Sequence, residues 1–175
     1  MDGLPDALRP QKCEECMSER IPHRHGCFWR WVFMLTSEFH IRIFRFYCPM
    51  CDHTMSICPP FIEPHYSYAL EVQEAAIDSH ENGKSFEEVA EDKTIIIAGP
   101  VHMKTVWRWY KHWMQRVHLH HDSLWKILLY YKPTLTLPKH TSSNWRNLFR
   151  AWLTVRQQFE DVPPLLVQLG QLARS

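Results

Sequence analysis

The chain has 175 residues, 45% of them hydrophobic and 22% charged, which suits one ordinary domain or a few small modules and excludes a disordered chain. Its net charge of +1 hides a segregation: residues 20–47 hold five Arg against Glu38, residues 63–93 nine acids against two Lys, and residues 102–150 nine Lys/Arg against Asp122. Two basic surfaces divided by an acidic one are expected, and basic blocks attract a phosphate backbone unless they only solvate helix faces.

The first twelve residues carry Asp2, Pro5, Asp6, Arg9 and Pro10 in place of an apolar leader core. The longest apolar runs, such as residues 127–131, are too short to span a bilayer. A cytoplasmic protein without a membrane partner is therefore expected, with its six cysteines reduced. Cys13-Glu-Glu-Cys16 and Cys48-Pro-Met-Cys51 are two C-x-x-C pairs that together offer four thiolates, the set a closed, structural, tetrahedral Zn2+ site requires. Cys27, Cys58, His23, His25 and His53 are possible substitutes, although Cys27 and Cys58 are expected to be ordinary buried thiols. A redox role needs one such pair beside a βαβ unit, and neither pair has that context. Four cysteines leave no open position for catalysis at the metal.

Between the pairs, residues 28–35 (F-W-R-W-V-F-M-L) and 39–47 (F-H-I-R-I-F-R-F-Y) read as the two strands of a hairpin turned at residues 36–38. His23-Arg-His-Gly26 reads as a loop leading into the first strand. The proline-rich stretch 59–64 cannot continue the sheet or begin a helix. Ala69, Leu70, Val72, Ala76 and Ile77 then mark a helix that stops at Asn82-Gly83. Ser85-Phe-Glu-Glu88 is a capping box that opens a second, short helix.

Residues 103–117 form a third helix with Val106, Trp109, Tyr110, Trp113 and Val117 inward. Lys104, Thr105, Arg108, Lys111, His112, Gln115 and Arg116 face outward without an acid, the polarity of a helix that reads a major groove. The connection at residues 93–102 is longer than the three or four residues of a standard helix-turn-helix, which leaves a plain three-helix bundle as the alternative. His118, His120, His121 and Asp122 read as a helix-end cluster. A separate helix is expected over residues 123–131 and a linker over 133–139. A further helix, begun near Ser142 or Ser143, carries Trp145, Leu148, Phe149, Trp152 and Phe159. A last one opens at Pro163-Pro164 and ends near Leu172, and these C-terminal helices are expected to cover the core or, as the alternative, to dimerise.

The pairs Cys13-x-x-Cys16 and Cys48-Pro-Met-Cys51, the aromatic strands between them, Lys84-Ser-Phe-Glu-Glu-Val-Ala90 and Lys104-Thr-Val-Trp-Arg-Trp109 together resemble a bacterial arrangement. It is the zinc-ribbon plus helix-turn-helix front end of insertion-sequence transposases and their accessory proteins. The chain is also similar to an uncharacterised, transposon-associated bacterial family of the same layout. The resemblance spans residues 13–117 and implies binding at element ends or regulation of an element's promoter. A two-metal nuclease needs separated carboxylates, and beyond the third helix only Asp122, Glu160 and Asp161 remain, so no catalytic residue is expected. No G-x-S-x-G elbow or phosphate-binding glycine loop is present either.

The expected fold is thus α+β: a zinc ribbon over residues 1–58, a proline-rich linker over 59–65, a helix-turn-helix-like DNA-binding unit over 66–121 and a helical extension over 122–175. Double-stranded DNA is the expected partner, met by Lys104, Thr105, Arg108, Lys111, His112 and Arg116 on the third helix and by Arg30, Arg42 and Arg45 on the hairpin. Two alternatives stand beside it. One is an adaptor that docks a transposase or another larger protein; the other is a binder of single-stranded nucleic acid or RNA, favoured by Phe28-Trp29-Arg30-Trp31.

Overall fold

The computed structural model describes residues 9–96, 101–136 and 145–173. The chain is α+β: a three-stranded antiparallel sheet in the order β1-β2-β3, followed by helices. The strands are β1 (His23–Phe33), β2 (Glu38–Tyr47) and β3 (Thr54–Ile57). Aromatic and β-branched residues fill β1 and β2, and Met34 N–H donates to the Ser37 carbonyl (2.8 Å) to close their turn.

Two features of the sheet depart from expectation. His23, Arg24 and His25 belong to β1 and not to a loop. The register shifts between Arg24 and Cys27, where Gly26 at φ +90° supplies the positive-φ residue that lets the strand continue past the irregularity. The third strand is a sequence-silent element of four residues, which pairs Phe44↔Ile57 and Phe46↔Met55.

The helices are α1 (Leu70–Glu81), α2 (Phe86–Glu91), α3 (Met103–Tyr131), α4 (Trp145–Arg156) and α5 (Leu165–Leu172). Asn82 and Gly83, the latter at φ +111°, end α1 as the sequence suggests. The capping box of α2 is complete: Glu88 N–H donates to Ser85 Oγ (3.2 Å) and Ser85 N–H to Glu88 Oε2 (2.6 Å). The two helices expected over 103–117 and 123–131 are one element of 29 residues. The stretch from His118 to Asp122 holds neither Pro nor Gly, and the buried stripe Val106, Trp113, Val117, Leu124, Leu128 runs through it unbroken. The histidines therefore sit in mid-helix, away from any C-terminal dipole, and His121 Nε2 accepts from Trp125 Nε1–H (3.0 Å). Phe159 lies beyond the end of α4, though it still packs on the core. The expected start of α4 at Ser142 or Ser143, and parts of the 93–102 connection and of the 133–139 linker, lie outside the described residues.

One core joins all five helices, with Trp109, Trp113, Trp145 and Trp152 fully buried. Some of its polar insertions are matched, while the buried Trp109 and Trp145 Nε1–H groups have no hydrogen-bond partner. Gln73, wholly buried, accepts from Trp113 Nε1–H (2.8 Å) and donates to the Tyr68 carbonyl (2.9 Å). The N-cap of α5 is Pro164, which has no capping side chain, so Glu74 of α1 supplies the acceptor: Leu166 N–H donates to Glu74 Oε2 (2.8 Å). Sheet and helices meet at a second, small core of Val32, Ile43, Ile62 and Ala69. A parallel bridge Phe33↔Tyr68 and a bond from Leu35 N–H to Glu71 Oε1 (2.9 Å) stitch the seam.

Candidate metal centre and basic surfaces

Each C-x-x-C pair folds into the same tight knuckle. The amide of its first cysteine donates to the carbonyl five residues on, Cys13 to Ser18 (3.3 Å) and Cys48 to His53 (2.8 Å). The residue after its second cysteine is left-handed in both, Met17 at φ +55° and Asp52 at φ +56°. In both pairs the first thiol is wholly buried and the second more open. The β1–β2 hairpin brings the knuckles together, and the four Sγ atoms of Cys13, Cys16, Cys48 and Cys51 lie within 4.8 Å of one another. The cross pairs Cys13–Cys51 and Cys16–Cys48 are each 3.7 Å apart. Four sulfurs bound tetrahedrally at about 2.3 Å from one ion stand about 3.8 Å apart. The donor set fits a single metal ion.

Protonation of the cluster follows from its crowding. Burial pushes the Cys48 thiol up, but the amides of Met50 and Cys51 and the neighbouring thiols outweigh it and bring the group to about 7. The Cys51 thiol receives the amide of His53, yet burial and hydrogen bonds with Cys16, Cys13 and Cys48 push it up to about 12. One thiolate forms readily and a second is opposed by the first; a divalent cation removes that opposition. Beside the second knuckle the Tyr47 hydroxyl donates to Asp52, which raises the phenol.

On α3, Lys104, Arg108 and Lys111 are exposed and Thr105 half-exposed. Lys104, Arg108 and Lys111 recur at i, i+4 and i+7, one face of the helix, and none has a carboxylate partner among the described residues. Lys111 Nζ lies 4.8 Å from the centroid of Trp107, itself 44% exposed. His112 and Arg116, expected outward, are half-buried. Burial and the Arg116 charge lower the His112 pKa against the opposing pull of Glu63. Arg116 lies over Trp113 and pairs with Glu63 (3.2 Å), a buried carboxylate from the proline-rich stretch.

The three hairpin arginines do not share a face. Register places Arg42 opposite Trp29, while Arg30 is opposite Ile41 and Arg45 has the parity of Ile43. Arg30 and Arg45 flank the Phe28 ring at 5.3 and 5.9 Å on the side toward the helices. Arg42 lies on the open side, 5.8 Å from the Trp29 ring and 5.2 Å from Phe44. Trp29 is 63% and Trp31 48% exposed. Cys27, expected to be buried, shares their parity and is exposed, and Cys58 is only partly covered. Of the run Phe28-Trp29-Arg30-Trp31, only Trp29 and Trp31 share the open face, and the partners that the sequence reading did not group with them are Arg42 and His40 across the ladder.

No described helix is long and apolar enough to cross a membrane. No family model, curated protein or solved structure matches the chain.

Proposed function

We propose that the chain is a zinc-ribbon protein that binds double-stranded DNA through the N-terminal half of α3, in the service of a mobile element and without a catalytic site of its own. Zinc is the metal that suits four thiolates in a closed tetrahedron, and it would be architectural, holding the knuckles against the hairpin. The observation that carries the DNA reading is the exposed row Lys104, Arg108 and Lys111 on α3, without a carboxylate partner among the described residues. At 1.5 Å per residue the row spans roughly 10 Å, and a major groove about 12 Å wide admits a helix. α1 and α2 pack behind α3, the arrangement a recognition helix needs in a helix-turn-helix. Arg116 and His112 belong to the support of that helix, because one is paired and the other half-buried. The mobile-element role is supported by the resemblance of the knuckle and helix motifs to transposase front ends.

The test is fluorescence anisotropy of the zinc-loaded protein on random duplex across a salt series. Each phosphate neutralised contributes about −0.9 to the slope of log affinity against log salt. Arg108→Glu/Lys111→Glu is expected to weaken binding strongly and flatten the slope by about 2. Unchanged affinity in that variant would remove α3 as the DNA contact. Selection from a random duplex pool then asks whether the preferred site matches the ends of an element.

A further inference from the structure

We infer that the open face of the β1–β2 sheet binds an unpaired nucleic-acid strand, with bases stacked on Trp29 and Trp31 and the backbone held by Arg42. This deepens the nucleic-acid reading but uses none of the α3 residues, so the two can fail separately.

Trp29 and Trp31 stand two apart on one strand and therefore on one face, roughly 7 Å from each other along it. The cross-strand partners on that face are Arg42 opposite Trp29 and His40 opposite Trp31. The His40 ring lies 3.7 Å from that of Trp31 and 6.1 Å from that of Trp29. Leaving two indoles 63% and 48% exposed on a regular strand is costly unless something covers them. The opposite face of the same strands is already occupied, by the contact of Val32 and Ile43 with Ile62 and Ala69.

Charge selects the occupant. Arg42 lies against the faces of Trp29 and Phe44 and makes no ion pair among the described residues. Its guanidinium N–H donors thus remain to serve a phosphate. Glu38, the acid of this face, is four residues from Arg42 at the far end of the ladder, opposite Phe33. An aliphatic protein surface would leave that cation uncompensated, whereas a single strand offers π-faces and anions at alternating positions. Flat rings beside a positive groove are the elements of sequence-tolerant single-strand binding.

The experiment uses the full, zinc-loaded chain with fluorescein-labelled oligothymidylate and oligouridylate of about 12 nucleotides, within the site sizes of such surfaces. Binding should be salt-dependent, and Trp29→Ala and Trp31→Ala should each weaken it about tenfold or more, with Trp29→Phe recovering part of the loss. Arg108→Glu/Lys111→Glu should leave it largely intact while duplex binding is lost. Both indoles being exposed, the alanine variants should keep the wild-type circular dichroism spectrum. Preference for one oligonucleotide over the other distinguishes DNA from RNA as the strand. Absence of binding at low salt, or equal binding by Trp29→Ala/Trp31→Ala, would overturn the inference. So would a wild-type dimer in sedimentation that this double variant converts to monomer, since the face would then meet a second copy of the chain.

Discussion

Around the four cysteines the buried apolar set is Cys13, Phe46, Cys48 and Met55, whereas the helices bury Trp109, Trp113, Trp125, Trp145 and Trp152 with a full complement of aliphatic residues. A cluster of four residues, two of them ligand thiols, removes too little surface from water to offset the entropy of ordering two knuckles. The helical core has no such shortage. With the proposed zinc bound, one region would be held by coordination and the other by burial, and the contrast predicts which perturbation harms which.

The largest effect expected is that of metal removal, because zinc binding to such sites is worth about 10–16 kcal/mol and is itself folding free energy. Chelation, or Cys48→Ser, should abolish hydrogen-exchange protection over residues 23–57 while α1, α3, α4 and α5 keep theirs. Loss of both in one step would show that the seam at Phe33 and Tyr68 makes sheet and helices a single cooperative unit, and the comparison would break there.

The converse experiment cuts into the helical core. Trp113→Ala removes a fully buried indole and leaves Gln73 Oε1 without its donor. Large-to-small aromatic changes cost about 3–5 kcal/mol. Urea unfolding followed by helical ellipticity should show a loss of at least this size. Zinc affinity, read by competition with a chromophoric chelator, should change little if the two regions are independent.

The two regions also differ in how they were legible. The knuckles could be read because ligand spacing is a local pattern, and so could the capping box of α2. The third strand could not: Thr54-Met-Ser-Ile is short and becomes a strand only because the second knuckle turns it back onto β2. The continuity of α3 was hidden by three histidines that resemble an ending, although no residue there breaks a helix. His112 and Arg116 look outward on a helical projection because what meets them comes from far away in the chain: Tyr66 lies near the His112 ring and Glu63, 53 residues before Arg116, pairs with its guanidinium. Exposure of Cys27 follows from strand parity once Gly26 is seen to absorb the irregularity. What local sequence hides is what distant segments cover.

A further prediction concerns the buried carboxyl of Glu74 in the helical region. Burial pushes the Glu74 carboxyl from 4.5 to about 7 against the pull of Leu166 N–H and Arg156. Between those values the folded chain holds a proton that the unfolded chain releases, so this group's contribution to stability falls as pH rises through the window. The change is on the order of 3 kcal/mol. Glu74→Gln, which can still accept from Leu166, should flatten the slope measured between pH 5 and pH 7.5. Helical ellipticity is the proper signal, since thiolate protonation weakens the metal site over an overlapping range. An unaltered slope in the variant would mean that Glu74 is ionised throughout.

The smallest effect sharpens the comparison at its most local point. Ser85→Ala removes the acceptor for Glu88 N–H, and a lost N-cap costs about 1 kcal/mol. A six-residue helix has no stability of its own, so α2 persists only while its cap and its packing of Val89 and Ala90 act together. The loss should therefore appear first as faster amide exchange across α2, ahead of any shift in the global midpoint. If duplex affinity falls in step with that exchange, α2 orients α3 on the DNA. If affinity is unmoved, the basic row of α3 acts without it and the helix-turn-helix geometry is not what positions the contact.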